Sequence, residues 1–214
     1  GKSTFVLTVA DNAASRGEGC VIFTYEDPRE VFLKRHIAKH ATVPLENIVC
    51  NKLSGNQRAR CASVDETPWQ KIAVEHAYGY TADWVCRRAL IYKRRFGMRL
   101  MAVDYIQRIP SPSRGLKKHE AIEANMDRLS EFAAQHGIAL LLLSQIKREV
   151  EQEGREPMLS DFRHSDAIGI SAKLAMFLHE GAGDKLKILI RKNSQGKREG
   201  GCEVTYERQF CKIG

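Results

Sequence analysis

The chain is 214 residues long and carries 34 Lys and Arg against 26 Asp and Glu, a net charge of +8. That length holds one domain, or one with a small appendage, and 43% apolar residues can build a full core. No stretch approaches the roughly 18 apolar residues of a membrane span and none reads as a signal peptide, so a soluble, cytoplasmic protein is expected.

The positive excess suits a polyanionic partner. The cluster Arg87-Arg88 with Lys93-Arg94-Arg95 reads equally well as the solvated face of one helix. The six Cys (Cys20, Cys50, Cys61, Cys86, Cys202 and Cys211) show no C-x-x-C spacing and are expected to be reduced and structural. The seven His are read as scattered, without an H-x-x-x-H or H-E-x-x-H pattern, and metal binding by His is not expected.

In chain order, Gly1-Lys2-Ser3-Thr4 matches the end of the phosphate-binding loop Gly-x-x-x-x-Gly-Lys-[Ser/Thr]. In that loop backbone N–H groups cradle phosphates, Lys reaches the β/γ-phosphates and the hydroxyl holds Mg²⁺. Four residues alone are weak evidence. Residues 5–10 are apolar enough for a helix against a sheet, closed by Gly17 and Gly19. Residues 20–25 read as a buried strand ending in Glu26. Asp27-Pro28-Arg29-Glu30 then reads as a helix start, with Asp27 as the cap and Pro28 in the first position.

That helix runs to about His40, and residues 42–70 hold two small helices. Residues 71–76 form a short strand. Thr81 caps a helix whose apolar face is Val85, Ala89, Tyr92 and Phe96, and Gly97 ends it. Residues 100–103 are a strand ending in Asp104. Such an acid, held at the carboxyl end of a central strand, suits the Mg²⁺ side of a nucleotide site.

Residues 110–119 are a basic loop. The next helix shows Ile122, Met126, Leu129 and Ala133 on one face and stops at Gly137. Residues 138–143 are an apolar strand ending in Ser144-Gln145, and the charged residues 147–160 read as a second loop. Residues 172–179 are a strand, 185–191 and 201–206 a hairpin pair, and a last short strand lies near Phe210. The expected fold class is α/β: a mainly parallel sheet flanked by helices, with antiparallel strands at its C-terminal edge.

The runs GKST, FTYEDP, MAVDYIQRI, LLLSQIKREVEQ, SDFRHSDAI and ILIRKNSQG, in that order, resemble the RecA-like motor domain of DnaB-type replicative hexameric DNA helicases. The resemblance extends from residue 1 to 214. It implies a P-loop NTPase, a homo-oligomer that forms a hexameric ring, and ATP with Mg²⁺ as cofactors. It also implies single-stranded DNA in the central channel and a primase or a helicase loader as partners, with no membrane.

Carried over, Gly1, Lys2, Ser3 and Thr4 bind nucleotide, Ser3 and Asp104 hold Mg²⁺, Glu26 activates the attacking water and Gln145 senses the γ-phosphate. Lys192 reaches a neighbour's nucleotide in trans. DNA contacts are expected at Arg114, Lys117 and Lys118 and at Lys147 and Arg148. By the same comparison the chain is one RecA-like domain whose first strand and most of whose phosphate loop are missing.

Two stretches depart from the family pattern. The family places a Lys and an Arg two residues apart at a late strand end; here Lys192 matches and Ser194 stands at the Arg finger position. Arg191, Lys197 and Arg198 are nearby but out of register. Residues 170–173 (Ile-Ser-Ala-Lys) stand where the family is acidic. The alternatives are a recombination ATPase of the same fold and a catalytically weakened DNA-binding assembly module.

Overall fold

The computed structural model describes residues 1–163, 167–197 and 199–214. Four parallel strands form its centre: β1 (Gly19–Thr24), β2 (Ile72–His76), β3 (Met98–Asp104) and β4 (Ala139–Leu142), in the order β2-β1-β3-β4. Every residue of β1 is buried, as the uninterrupted apolar run requires of a parallel strand covered on both faces.

Side chains alternate along β1, so each face packs on its own helix layer. Cys20 and Ile22 meet α1 (Lys2–Ala14) and α2 (Arg29–Ala41) through Val6, Leu7, Ala10 and Phe32. Val21 and Phe23 meet α5 (Ala82–Phe96) and α6 (Lys118–Gln135) through Val85, Ala89, Met126 and Leu129. Along the chain between α2 and β2 lie the small helices α3 (Leu45–Val49) and α4 (Gly55–Ala62).

The local signals around α5 act as read. Thr81 Oγ1 accepts a hydrogen bond from the Trp84 N–H, and Gly97 ends the helix in the left-handed region at φ 68°. Val85 and Ala89 are buried, and Tyr92 and Phe96 pack against the same core. A Cβ on Gly19 would collide with the Phe96 ring, so only glycine lets β1 start beneath this helix. Arg88 of the basic cluster pairs with Glu75 of β2 at 2.8 Å, and Tyr92 donates to the same carboxylate.

A second sheet is antiparallel, in the order β5 (Leu174–Glu180), β6 (Lys185–Asn193), β7 (Gly200–Glu207), β8 (Lys212–Ile213). The expected antiparallel strands thus pair among themselves. Phe177 of β5 and Leu189 of β6 join the core under α5 and α6. Phe210, expected near the last strand, lies in a 3-10 turn just before β8.

Two local expectations fail. Asp27 does not cap α2: Pro28 holds that position without a side-chain bond, and the Asp27 carboxylate instead pairs with Arg35 at 2.7 Å. Residues 147–160 are not all loop, because α7 (Arg148–Glu153) forms there and ends on Gly154 at φ 63°. Its sequence is rich in good helix formers, and burial of Val150 anchors it. The helix α8 (Ala167–Ser171) follows.

Between α1 and α2 a buried charge cluster ties the two helices. Asp11 accepts from Lys39 Nζ at 2.8 Å and lies 3.0 Å from His36 Nδ1 and 3.3 Å from His40 Nε2. Burial pushes the Asp11 carboxyl up, but these three bonds outweigh it and hold it well below the usual carboxylate range. One ligand atom from each of Asp11, His36 and His40 falls within 4.8 Å of the others. The expectation that the seven His lack an H-x-x-x-H pattern fails: His36 and His40 have that spacing, and one turn of α2 brings both rings beside Asp11. The Lys39 ammonium supplies positive charge at this carboxylate.

Candidate nucleotide site

Strand register decides which residues meet. Thr24 of β1 lies level with Asp104 of β3, and Val103 lies level with Leu142 of β4. Glu26 and Gln145 therefore each fall two residues beyond the level of Asp104, just past the ends of the strands that flank it. The connection from β1 runs to β2 on one side, and the chain then returns to β3 on the other. This reversal opens a crevice at the carboxyl ends of the strands, where open α/β sheets bind ligands.

The crevice is a cleft of about 540 Å³, and its walls include Gly1, Lys2, Ser3, Thr4, Glu26, Asp104 and Gln145. The N-terminal turn of α1 opens onto it, and unpaired N–H groups there favour anions. Ser3 Oγ donates to Asp104 Oδ2 at 2.6 Å. Asp104 is only 4% exposed. Burial raises its pKa, the bond from Ser3 lowers it, and Glu26 and Asp27 raise it further. Such a carboxylate gains from a nearby cation.

The turn that presents Glu26 is pinned by Thr24. Its hydroxyl donates to the Asp27 carbonyl at 2.8 Å and accepts from the N–H groups of Glu26 and Asp27 at 3.3 and 3.1 Å. Glu26 itself is exposed to the cleft. At the other wall, Gln145 Oε1 lies 3.5 Å from Arg163 Nη1.

The sequence reading missed Arg35, Tyr206 and Arg208, which also line the cleft. Thr4 Oγ1 lies 3.4 Å from the Tyr206 hydroxyl, a contact spanning 202 residues of chain. No local pattern marks these side chains; docking of the second sheet against α1 brings two of them in.

The remaining candidates lie outside the cleft. Lys192 Nζ donates to the Gly169 carbonyl at 3.0 Å. Arg191 pairs with Glu156 at 2.7 Å and donates to the Pro157 carbonyl at 3.0 Å. Ser194 and Lys197 are exposed, while Arg198 and the His164-Ser165-Asp166 part of the SDFRHSDAI run lie outside the described residues. Arg114, Lys117 and Arg148 are exposed. Lys118 and Lys147 each donate to a carbonyl at 2.6 Å, of Gln107 and Ser160 respectively. Among the described residues no helix is long and apolar enough to cross a membrane.

The chain is similar to known proteins in sequence and in fold. The family described as the DnaB-like helicase C terminal domain matches residues 1–214. The replicative DNA helicase DnaB of Haemophilus influenzae is 29% identical over 195 residues, covering 84% of this chain and 40% of that protein. The same-named protein of Buchnera aphidicola (subsp. Acyrthosiphon pisum) is 31% identical over 186 residues, again 84% of this chain and 40% of that protein. The chain thus spans less than half the length of these relatives.

Among solved structures, an ATPase domain superposes with a TM-score of 0.91 at 19% identity, covering 99% of this chain and 79% of that one. A DnaB-like replicative helicase, solved for its interactions with primase, gives the same TM-score and identity over 99% of this chain and 54% of its own. With this family matched over residues 1–214, the chain belongs to the DnaB-like helicase C-terminal domain family.

Proposed function

We propose that the chain is one RecA-like ATPase domain, the motor of a cytoplasmic replicative DNA helicase that hydrolyses ATP between subunits of a hexameric ring and moves along single-stranded DNA. The observation that carries this reading is the convergence of Lys2, Ser3, Glu26, Asp104 and Gln145 on one cleft at the carboxyl ends of β1, β3 and β4. Phosphoryl transfer asks the protein for charge neutralisation and a positioned water rather than covalent chemistry. Lys2 and the α1 N-terminus face the phosphates, Glu26 orients and deprotonates the attacking water, and Gln145 reports on the γ-phosphate.

The donor set fits Mg²⁺. It offers oxygen ligands only, the Ser3 hydroxyl and the buried Asp104 carboxylate, 2.6 Å apart. When bound there, Mg²⁺ neutralises developing charge on the β- and γ-phosphate oxygens. Lys192 adds positive charge from a neighbouring subunit. Primase is the partner this reading implies, because a similar helicase was solved for its interactions with primase. The test is ATP hydrolysis stimulated by single-stranded DNA together with unwinding of a forked duplex. Strand exchange without unwinding would replace this reading with a recombination ATPase.

DNA is expected to meet the loop before α6. Arg114 and Lys117 are exposed there, and the contacts are to phosphates with little base preference. Changing both to Ala should lower the salt slope of oligonucleotide binding by about 0.7 for each phosphate no longer neutralised. An unchanged slope would move the DNA path to the basic helix α5.

A further inference from the structure

Gln107 sits in the 3-10 turn over Ile106–Arg108, three residues beyond Asp104. It is 7% exposed and does not line the cleft. Its side-chain amide is nevertheless fully used. Nε2 donates to Ser144 Oγ at 2.7 Å and faces the carbonyls of Arg163 and Gln145 at 3.2 and 3.4 Å. Oε1 accepts from the Gln145 N–H at 3.2 Å. The main-chain carbonyl of Gln107 accepts from Lys118 Nζ at 2.6 Å.

These bonds lie where pairing of β3 with β4 stops, at Val103 and Leu142. Beyond that point backbone groups lose their sheet partners and must find others when buried. One primary amide, with two N–H donors and an acceptor oxygen, takes up both sides of the gap. Its partners are the segment of Gln145 just past β4, Arg163 beyond the charged stretch 147–160, whose own N–H also donates to the Gln145 carbonyl at 3.0 Å, and, through its own carbonyl, Lys118 at the close of the basic loop. Three segments that a nucleotide and a DNA strand would touch separately thus meet at one buried residue.

We propose that Gln107 is a positioning residue that couples the nucleotide cleft to the basic loop before α6 and braces Arg163 beside it. A shift of Gln145 toward a bound nucleotide pulls on the amide through the Gln145 N–H. Arg163 follows Gln145 through their direct backbone bond at 3.0 Å as well as through the amide, and the turn of Gln107 carries the shift to Lys118. Gln107 touches neither nucleotide nor DNA. The inference rests on the function proposed above, since it needs a nucleotide in the cleft and DNA at that loop.

The test uses Gln107→Met, which keeps length and removes every side-chain bond, and Gln107→Glu, which keeps the acceptor and turns the donor into a repelling oxygen. Circular dichroism checks that each folds. The measured quantity is the ratio of oligo(dT) dissociation constants with ADP and with a non-hydrolysable ATP analogue, alongside affinity for the analogue itself. In the wild type the ratio should fall in the usual coupling range of roughly 5–150-fold. Both variants should bring it toward one while analogue affinity holds.

A wild type that binds neither analogue nor DNA overturns the functional reading and this inference together. A wild type that binds both with a ratio near one overturns the inference alone, as does a ratio kept in both variants. Loss of analogue binding along with the ratio would show Gln107 to be packing for the cleft and would also overturn the coupling role.

Discussion

Glu26→Gln is expected to lower kcat for ATP hydrolysis by about 10²–10⁴, the usual contribution of a positioned general base, while ATP binding persists. The reason is geometric. Thr24 pins the turn through Asp27 and the Glu26 N–H, so the amide should occupy the same place while losing the ability to accept a proton. In the proposed function phosphate contacts fall to Lys2, Ser3 and the α1 N-terminus, which also line the cleft, and the substitution leaves them alone. Steady-state hydrolysis with titration of a fluorescent ATP analogue separates the two effects. A variant that hydrolyses ATP within about threefold of wild type, far short of a general-base loss, would mean that another group orients the water.

The second large effect concerns stability rather than turnover. Asp11→Ala should destabilise the fold by about 3–5 kcal/mol, the usual result of stripping one partner from a buried ionic cluster. Lys39, with a side chain 12% exposed, would lose its carboxylate, and His36, 2% exposed, would lose its partner at Nδ1. Among the described residues His36 Nε2 has no hydrogen-bond partner, so its ring would be left without any. Urea unfolding of the two proteins measures the difference; a loss under about 1 kcal/mol would place this cluster with ordinary surface pairs.

The same cluster makes stability depend on acid. The Asp11 carboxyl titrates below its ordinary value of 3.8 in the folded chain. The unfolded chain therefore binds the proton first as pH falls. The stabilisation is complete above about pH 5 and is lost progressively below about pH 4, as the pH moves down toward the folded-state value. Asp11→Ala should accordingly flatten the acid limb of the unfolding midpoint against pH, and an unchanged limb would assign acid sensitivity to other carboxylates.

Much of the fold is legible in the sequence because it rests on local signals. Apolar runs mark β1, β3 and β4, since strands covered on both faces tolerate little polar interruption. Helical periodicity marks α5 and α6, and Thr81 and Gly97 mark where α5 starts and stops. Where two local signals compete, the reading errs. Asp27 looks like a cap, yet Arg35, two turns along α2, offers its carboxylate a charged partner instead. The stretch after Lys147 looks like loop because it is charged, yet its residues favour helix and Val150 has a core to enter.

By itself, the sequence determined the acids and amide at the strand ends, the Lys and Ser at the start of α1, and, through their order along the chain, the family. Only the tertiary structure decided how these groups stand to one another. Register sets Glu26 and Gln145 two residues beyond the level of Asp104, and that register follows from pairing Thr24 with Asp104 and Val103 with Leu142, partners far apart in the chain. Tyr206 and Arg208 enter the cleft because the antiparallel sheet docks on α1, a contact with no periodicity to announce it. Gln107 and Asp11 are plain polar residues in the one-dimensional text. Burial gives each its weight, because a polar group withdrawn from water must be bonded by whatever the fold places around it.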